Sequence, residues 1–422
     1  MINANDFAAA TDNETLELAV ANRGKDGIVL IPPRVSSVEP ERDDWLLDRA
    51  VLLPSNTTVV LQNCKIKISD KCRDNFFRSA NCGMGIENPE RAFNIHVRGE
   101  GQSVLEGADH PRASGDSGKL LRSVCPHCNE DLLKMEWVSK ESKEKGEPSW
   151  EEKHLNTYGT DAGKEGESQY GDWRNIGILL ACVEHFSIEN VEIKDAHGWG
   201  ISLEGCSDGY LNKISFDARM SKEIDGTLQN IENQDGIDLR NGCHDIAISN
   251  ITGRTGDDVI ALTAIARTDR PYRAGGSLKA MHVMHNDWTK REPDIYNVII
   301  DGVRAYSCHC RSVRLLSAEC RIYNVIVNNI VDTDTSGALR YSGVLLGDGD
   351  HAYGKNLEDG LCNIIVSNVI ANGKDDNAAV EVHGYLKDSV ISNVMNRNPK
   401  AKGLLVCREN ALNNVKTENV LD

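Results

Sequence analysis

Long apolar runs are missing from this chain of 422 residues. No stretch of about 18 apolar residues occurs, which excludes an apolar membrane-spanning helix and leaves no membrane partner to propose. Aromatic residues are scarce at 5%, so large helix-packed cores are disfavoured. Glycine is plentiful and Val, Ile and Asn recur, a composition suited to many short stacked strands. A basic excess is also lacking. With a net charge of −17, the chain is a poor match for a nucleic-acid polymer, whose phosphates must be neutralised by Lys and Arg on at least one face. The opening MINANDFAAATDNETLELAVANRG has no basic region ahead of an apolar core, so no secretory leader is visible, and a protein secreted with its leader already removed would start the same way. Thirteen cysteines are an odd number. Several sit in apolar runs (Cys182, Cys206, Cys243, Cys362, Cys407), as small core residues of a reducing compartment do, and the cytoplasm is the expected location.

A chain this long needs either two domains or one elongated architecture. The second is favoured by one recurring phrase, a short alternating strand that ends in a small or amide residue followed by Val or Ile. It reads HFSIENVEI at 185, HDIAISNIT at 244, IYNVIVNNI at 322, CNIIVSNVI at 362, KDSVISNVM at 387 and LNNVKTENV at 412. The last three starts are 25 residues apart (387 − 362 and 412 − 387), a length that two or three strands with tight turns fill. Successive copies then stack as coils about 4.8 Å apart. The expectation is an all-β fold, a right-handed parallel β-helix occupying 1–422 as a single domain. Asparagines at equivalent turns would form side-chain ladders, which accounts for their abundance without any chemistry. Three segments break the period: 5–22, expected as an amphipathic helix capping the first coil; 109–172, a polar loop insertion; and 265–294, an insertion directly after a cluster of acids.

That cluster lies in NQDGIDLRNGCHDIAISNITGRTGDDVIAL. Asp235 precedes Asp257 by 22 residues and Asp258 by 23 (257 − 235 and 258 − 235), about one coil, so the three should share one face of the solenoid. Crowded carboxylates repel and perturb one another's protonation, a cost that a purely structural surface has no reason to carry. A site needing one protonated and one ionised carboxyl does. Asp238 and Asp245, taken singly, are ordinary turn or cap residues.

NQDGID, then TGDDVIAL, then a histidine in SCHCRSVRLLS resemble the N-T-D, G-D-D and G-H-G signatures of glycoside hydrolase family 28, the polygalacturonase and rhamnogalacturonase group. DFAAATDNETLELAVANRGKDGIVLIPP, VRGEGQSVLEG and WRNIGILLACVEHFSIENVEIKDAHGWGISLEGC extend the resemblance over nearly the whole chain outside the two insertions. It implies that Asp257 is the general acid, that Asp235 and Asp258 activate the attacking water with inversion, that Asn233 orients sugar or water, and that His309 tunes the acid or binds a hydroxyl. Here Cys308 and Cys310 flank the histidine where the family has glycines. The family's R-I-K carboxylate grip has no clean counterpart: Arg340 in LRYSG stands at about the right distance, with Arg311 and Arg314 as alternatives. The expected substrate is a poly- or oligosaccharide, pectin-related or, because the carboxylate grip is incomplete, built of a neutral or differently charged sugar, and attacked from one end because the 265–294 insertion would close the groove. Tyr272, His282, His285 and Trp288 of that insertion are candidates for a sugar subsite or for plain loop packing.

No cofactor and no catalytic metal are expected. The CPHC pair, Cys125 and Cys128, has zinc-ribbon spacing without a second such pair, and His127, His154, Cys72 or Cys82 would have to complete it. GDGDHAYG, with Asp348 and Asp350, is a turn or a cation loop. Other classes on the same fold are a polysaccharide lyase, which needs a basic residue to remove the C5 proton, a uronate C5-epimerase, and a non-catalytic carbohydrate-binding solenoid. Oligomeric state is not encoded in any of these features.

Overall fold

The computed structural model describes residues 1–35, 39–86, 88–111, 140–146, 172–224, 227–231, 233–268, 271–272, 276–277, 281–284, 293–348, 354–374 and 377–421. Its strands coil as the sequence period requires. One sheet takes a single strand from each of ten coils, from Val51–Leu53 through Phe77–Ser79, Ile178–Ala181, Ile201–Glu204, Ile237–Arg240, Ile260–Ile265, Val313–Ala318, Val344–Leu346 and Val380–Val382 to Leu404–Val406. All of its pairings are parallel. A second sheet of 17 strands closes the tube. The result is a right-handed parallel β-helix, the hand that parallel crossovers take almost without exception.

Period-two alternation fills the interior. In the strand Val313–Ala318, Val313 and Leu315 are fully covered inside the tube, while Arg314 between them points to the outer face. The bends of the larger sheet fall at asparagines: Asn297, Asn324, Asn329, Asn363 and Asn368 have φ between 53° and 57°, a region that Asn enters at much lower cost than most residues. Their amides stack. Asn324 donates to Asn297 at 2.9 Å, Asn363 to Asn324 at 3.1 Å, Asn393 to Asn368 at 3.0 Å and Asn419 to Asn393 at 3.0 Å. Each coil thus repeats the turn chemistry of the one before.

The N-terminal end is plugged by a helix shorter than the sequence suggests. Asp12–Ala21 is α-helical, opened by a reciprocal capping box between Thr11 and Glu14, and it buries Leu16, Ala19 and Val20 over the first coil. The preceding residues do other work: Ile2–Asn3 add a parallel strand beside Val29–Leu30, and Ala4–Asp6 form one 3-10 turn. Thr11 occupies the cap position in an extended conformation, so the helix cannot begin earlier.

Most of the two insertions lies outside the described residues. In 109–172 these include Cys125, His127, Cys128 and His154. Cys72 and Cys82 are buried, their thiols pushed up to about 12 first of all by burial. In 265–294, Pro271–Tyr272 and Gly276–Ser277 form a two-stranded antiparallel ribbon, and His285 and Trp288 lie outside the described residues. Among the described residues no helix is long and apolar enough to cross a membrane.

Candidate active site

Strand register decides whether the acids meet. Ile237 pairs with Ile260 and Asp238 with Ala261, and the ladder continues below the strands, with Gly236 N–H donating to Asp258 O at 2.8 Å. Asp235 therefore lies one coil from Asp258, about 4.8 Å along the solenoid axis. The next coil continues the rows: Val259 N–H donates to Arg311 O at 2.9 Å and Ile260 N–H to Ser312 O at 3.1 Å. Arg311 consequently stacks over Asp258, and Cys310 over Asp257.

Ligand atoms of Asp257, Asp258 and Cys310 lie within 4.8 Å of one another. Asp258 is only 2% exposed. One of its oxygens accepts the Arg311 N–H at 3.0 Å and the other faces Arg314 Nη1 at 3.5 Å. This close approach thus needs no cation. Asp235, 8% exposed, sits beneath it. Asp257 is half-buried; its Oδ1 accepts the Asp258 N–H at 3.1 Å, and its carbonyl accepts the Thr255 hydroxyl at 2.5 Å. The Cys310 thiol reports on both acids, because it is pushed well above its usual range by burial and then by the charges of Asp258 and Asp257. A turn fixes it there, with Ser307 Oγ accepting the Cys310 N–H at 2.7 Å.

The remaining expected residues separate. Asn233 is half-buried at a φ of 53°, two residues before Asp235. His309 is exposed at the rim, two residues short of the position stacked over Asp258, and its N–H donates to Ser307 Oγ at 3.2 Å. Arg311 is 3% exposed, with its guanidinium 2.9 Å from Glu381, donating to Ser342 O at 3.0 Å and lying over the Tyr341 ring. Its expected contact with substrate is corrected by that burial. Arg314 bridges Asp258 and Asp348. Arg340 is exposed, its guanidinium 5.0 Å from the Tyr341 ring centroid, and no carboxylate among the described residues pairs with it.

Sequence reasoning missed Glu381, and it placed Asp348 in a turn or cation loop without linking it to the acids. Both come from later coils whose spacing is stretched by loops. Glu381, His383 and Cys407 also bring ligand atoms within 4.8 Å of one another. There Glu381 already receives His383 at 2.8 Å as well as Arg311; burial works to raise its pKa, and these partners lower it.

The coils on the Asp235 side carry a cover. In the strand Ile178–Ala181, Ile178 and Leu180 face the interior, while Leu179 and Ala181 face outward into a second apolar cluster with Trp173, Trp199, Met281 and Met284. His282, expected as a possible subsite residue, is 1% exposed. Its Nδ1 is 2.6 Å from Glu204, its Nε2 meets Arg240, and Glu204 also accepts the Val283 N–H at 3.0 Å. Burial works to raise the Glu204 pKa, but His282 and Arg240 lower it. His282 is thus an anchor for the second insertion.

Residues 160–270 match the sequence profile of glycosyl hydrolases family 28, a span that contains all three acids. Among solved structures, the chain is similar to a hyperthermoactive exopolygalacturonase from Thermotoga maritima (13% identity, 100% of this chain and 93% of that one, TM-score 0.46). It is also similar to a family 28 exopolygalacturonase from Yersinia enterocolitica (12%, 99% and 77%, TM-score 0.41) and to PfbA, a surface adhesin of Streptococcus pneumoniae (12%, 99% and 91%, TM-score 0.40). No curated protein matches the chain in sequence.

Proposed function

We propose that the chain is a glycosidase of the family 28 type, on the strength of the match over residues 160–270, and that it hydrolyses a pectin-related oligosaccharide from one end by an inverting mechanism. The stacking of Asp235 on Asp258, with Asp257 beside it, is the observation that carries this reading. Asp257 is the better exposed of the three and protonates the glycosidic oxygen. Asp258 and Asp235 activate the water, Asp258 being braced by Arg314 and by the Arg311 N–H. Asn233 orients sugar or water from the turn before Asp235, and His309 reaches a hydroxyl from the rim. Arg340, exposed and lying against Tyr341, is the cation available to a sugar carboxylate.

End-wise attack is favoured by asymmetry along the axis. On the Asp235 side the outer face is filled by Trp173, Trp199 and the anchored 281–284 segment, whereas the side toward later coils presents Arg340 in the open. Unpaired cysteines at stacked positions, Cys206 and Cys243 among them, favour a reducing compartment, with the cytoplasm as the proposed location.

A retaining mechanism is a second reading, favoured by one distance. One carboxylate oxygen of Asp257 lies within 4.8 Å of one of Asp258, a proximity that fits retaining pairs, whose carboxyls stand roughly 5–5.5 Å apart, better than inverting ones at roughly 6.5–9.5 Å. In the inverting reading the separation that counts is that between Asp257 and Asp235. Incubation with uronic and neutral oligosaccharides, with proton NMR of the first-formed anomer, separates the two. Inverted product is expected; retained product assigns Asp258 as nucleophile, and no shortened product from any substrate rejects hydrolysis.

A further inference from the structure

Arg314 stands at the centre of the charged groups that the later coils contribute. It pairs in register with Ala261, a side chain too small to block its path back along the outer face toward Asp258, three residues earlier. One guanidinium nitrogen lies 3.5 Å from Asp258 Oδ2, and another meets Asp348 Oδ2. Arg314 and Asp348 are each about one-fifth exposed, while Asp258 is almost fully covered. A guanidinium clamped between two carboxylates has its planar fork oriented before any ligand arrives. Two of its donor directions are spent on protein acids, one of them an acid of the proposed site. A third carboxylate, carried by a substrate, would compete with Asp348 and Asp258 for the same cation.

We infer that Arg314 is a positioning residue, held by Asp348, that fixes the Asp258 carboxylate toward the attacked sugar and does not grip the substrate. The chain of contact runs Asp348, Arg314, Asp258, across three coils. Burial of Asp258 makes the brace necessary, because a covered carboxylate without a partner is costly. The backbone N–H of Arg311 fixes one oxygen of Asp258 at 3.0 Å and Arg314 faces the other, so the plane of the carboxylate is set from two sides.

This inference rests on the hydrolase reading, and its test separates the two. Arg314→Lys keeps the charge and loses the fork; Asp348→Asn leaves Arg314 in place and removes its outer support. Steady-state rates would be measured on a uronic oligosaccharide and on its neutral counterpart of equal length. Both variants are expected to lose about tenfold or more in kcat on both substrates, with KM within about twofold. A rise in KM confined to the uronic substrate, or an Asp348→Asn enzyme as fast as the parent, overturns the inference. Binding of the uronic oligosaccharide by calorimetry, in an Asp257→Asn background with and without Arg314→Lys, gives a readout that does not need turnover. Unchanged affinity is expected, and a loss of tenfold or more shows a substrate grip. A parent protein that hydrolyses nothing rejects the hydrolase reading, and the calorimetric arm still decides between brace and grip.

Discussion

Replacing Asp257 with asparagine removes the acidic proton while preserving what the side chain does for the fold. In the parent, Oδ1 accepts the Asp258 N–H at 3.1 Å, an interaction that an amide oxygen reproduces, and the Thr255 hydroxyl holds the carbonyl of residue 257, which is unaffected. The cost should therefore fall on chemistry. General acid catalysis typically contributes 10²–10⁴-fold, or about 3–5 kcal/mol of barrier. Asp257→Ala should lose as much rate and, lacking the oxygen, about 1 kcal/mol of stability as well. Initial rates of product formation by chromatography, paired with thermal unfolding of parent, Asp257→Asn and Asp257→Ala, make the comparison. An asparagine variant within threefold of the parent rate would refute Asp257 as the acid. A variant that lost rate only in proportion to lost folded protein would show that the residue is structural.

Three further outcomes follow from the same structure. Asn324→Ala should cost about 2–3 kcal/mol, from left-handed backbone in a residue with a Cβ and from two ladder bonds lost on either side; Asn324→Gly, relieved of the backbone strain, should recover part of this in urea unfolding. His197, fully buried with Nε2 accepting the Ala108 N–H at 3.0 Å, has its pKa lowered to about 4 by burial first of all. Because the unfolded chain takes up that proton near 6.5 and the folded chain does not, His197 favours folding above pH 6.5, and stability is lost as pH falls toward 4. That is about 2–3 kcal/mol by pH 4.5, so the unfolding free energy of a His197→Gln variant should fall less between pH 7 and 4.5 than that of the parent. Cys310, its thiol raised by burial and by both acids, should be alkylated slowly by iodoacetamide at pH 8 and faster in Asp258→Asn, as measured on its peptide by mass spectrometry; equal rates would place the carboxylate away from the sulfur.

The solenoid was legible because its signals are local and repeated. Asn324 and Asn363 occupy equivalent places in IYNVIVNNI and CNIIVSNVI, and in the structure one donates to the other. Asp235 and Asp258 were legible for the same reason, since no insertion separates them and a count of 23 residues equals one coil. Beyond Asp258 the counting fails. The next strand in register, Val313–Ala318, begins 53 residues after Ile260 (313 − 260), so whether His309, Cys310 or Arg311 stacks over Asp258 depended on a loop of unreadable length. The motif spelling marks His309, and backbone pairing puts Arg311, two residues on, over Asp258. The helix at the N-terminus was overextended because the acid and amide residues ahead of ETLELAVA pass for a first turn, and only the capping box between Thr11 and Glu14 shows that the helix starts at Asp12.

Outward positions on the ten-stranded sheet change character coil by coil, and that ordering bears on how an acidic protein can take an acidic sugar. Leu179 and Ala181 are apolar and covered; Asp238 and Arg240 are charged and covered; Arg314 is charged and one-fifth exposed; and Arg340, in the bend just before the strand Val344–Leu346 and two coils from the acids, is exposed. A net charge of −17 repels a uronate at long range, but salt screens that field within about 8–10 Å. At contact distance the later coils place Arg311, Arg314 and Arg340 near the acids, and two of the three are already neutralised by Glu381 and by the Asp258 and Asp348 pair. Of these three, Arg340 is the one with no carboxylate partner among the described residues, and it is left to meet an incoming carboxylate. Arg340→Ala should therefore raise KM for a uronic oligosaccharide by about tenfold and leave its neutral analogue unchanged. Equal effects on both substrates would mean that the chain recognises sugars through their hydroxyls, and that the charge of Arg340 has no part in choosing them.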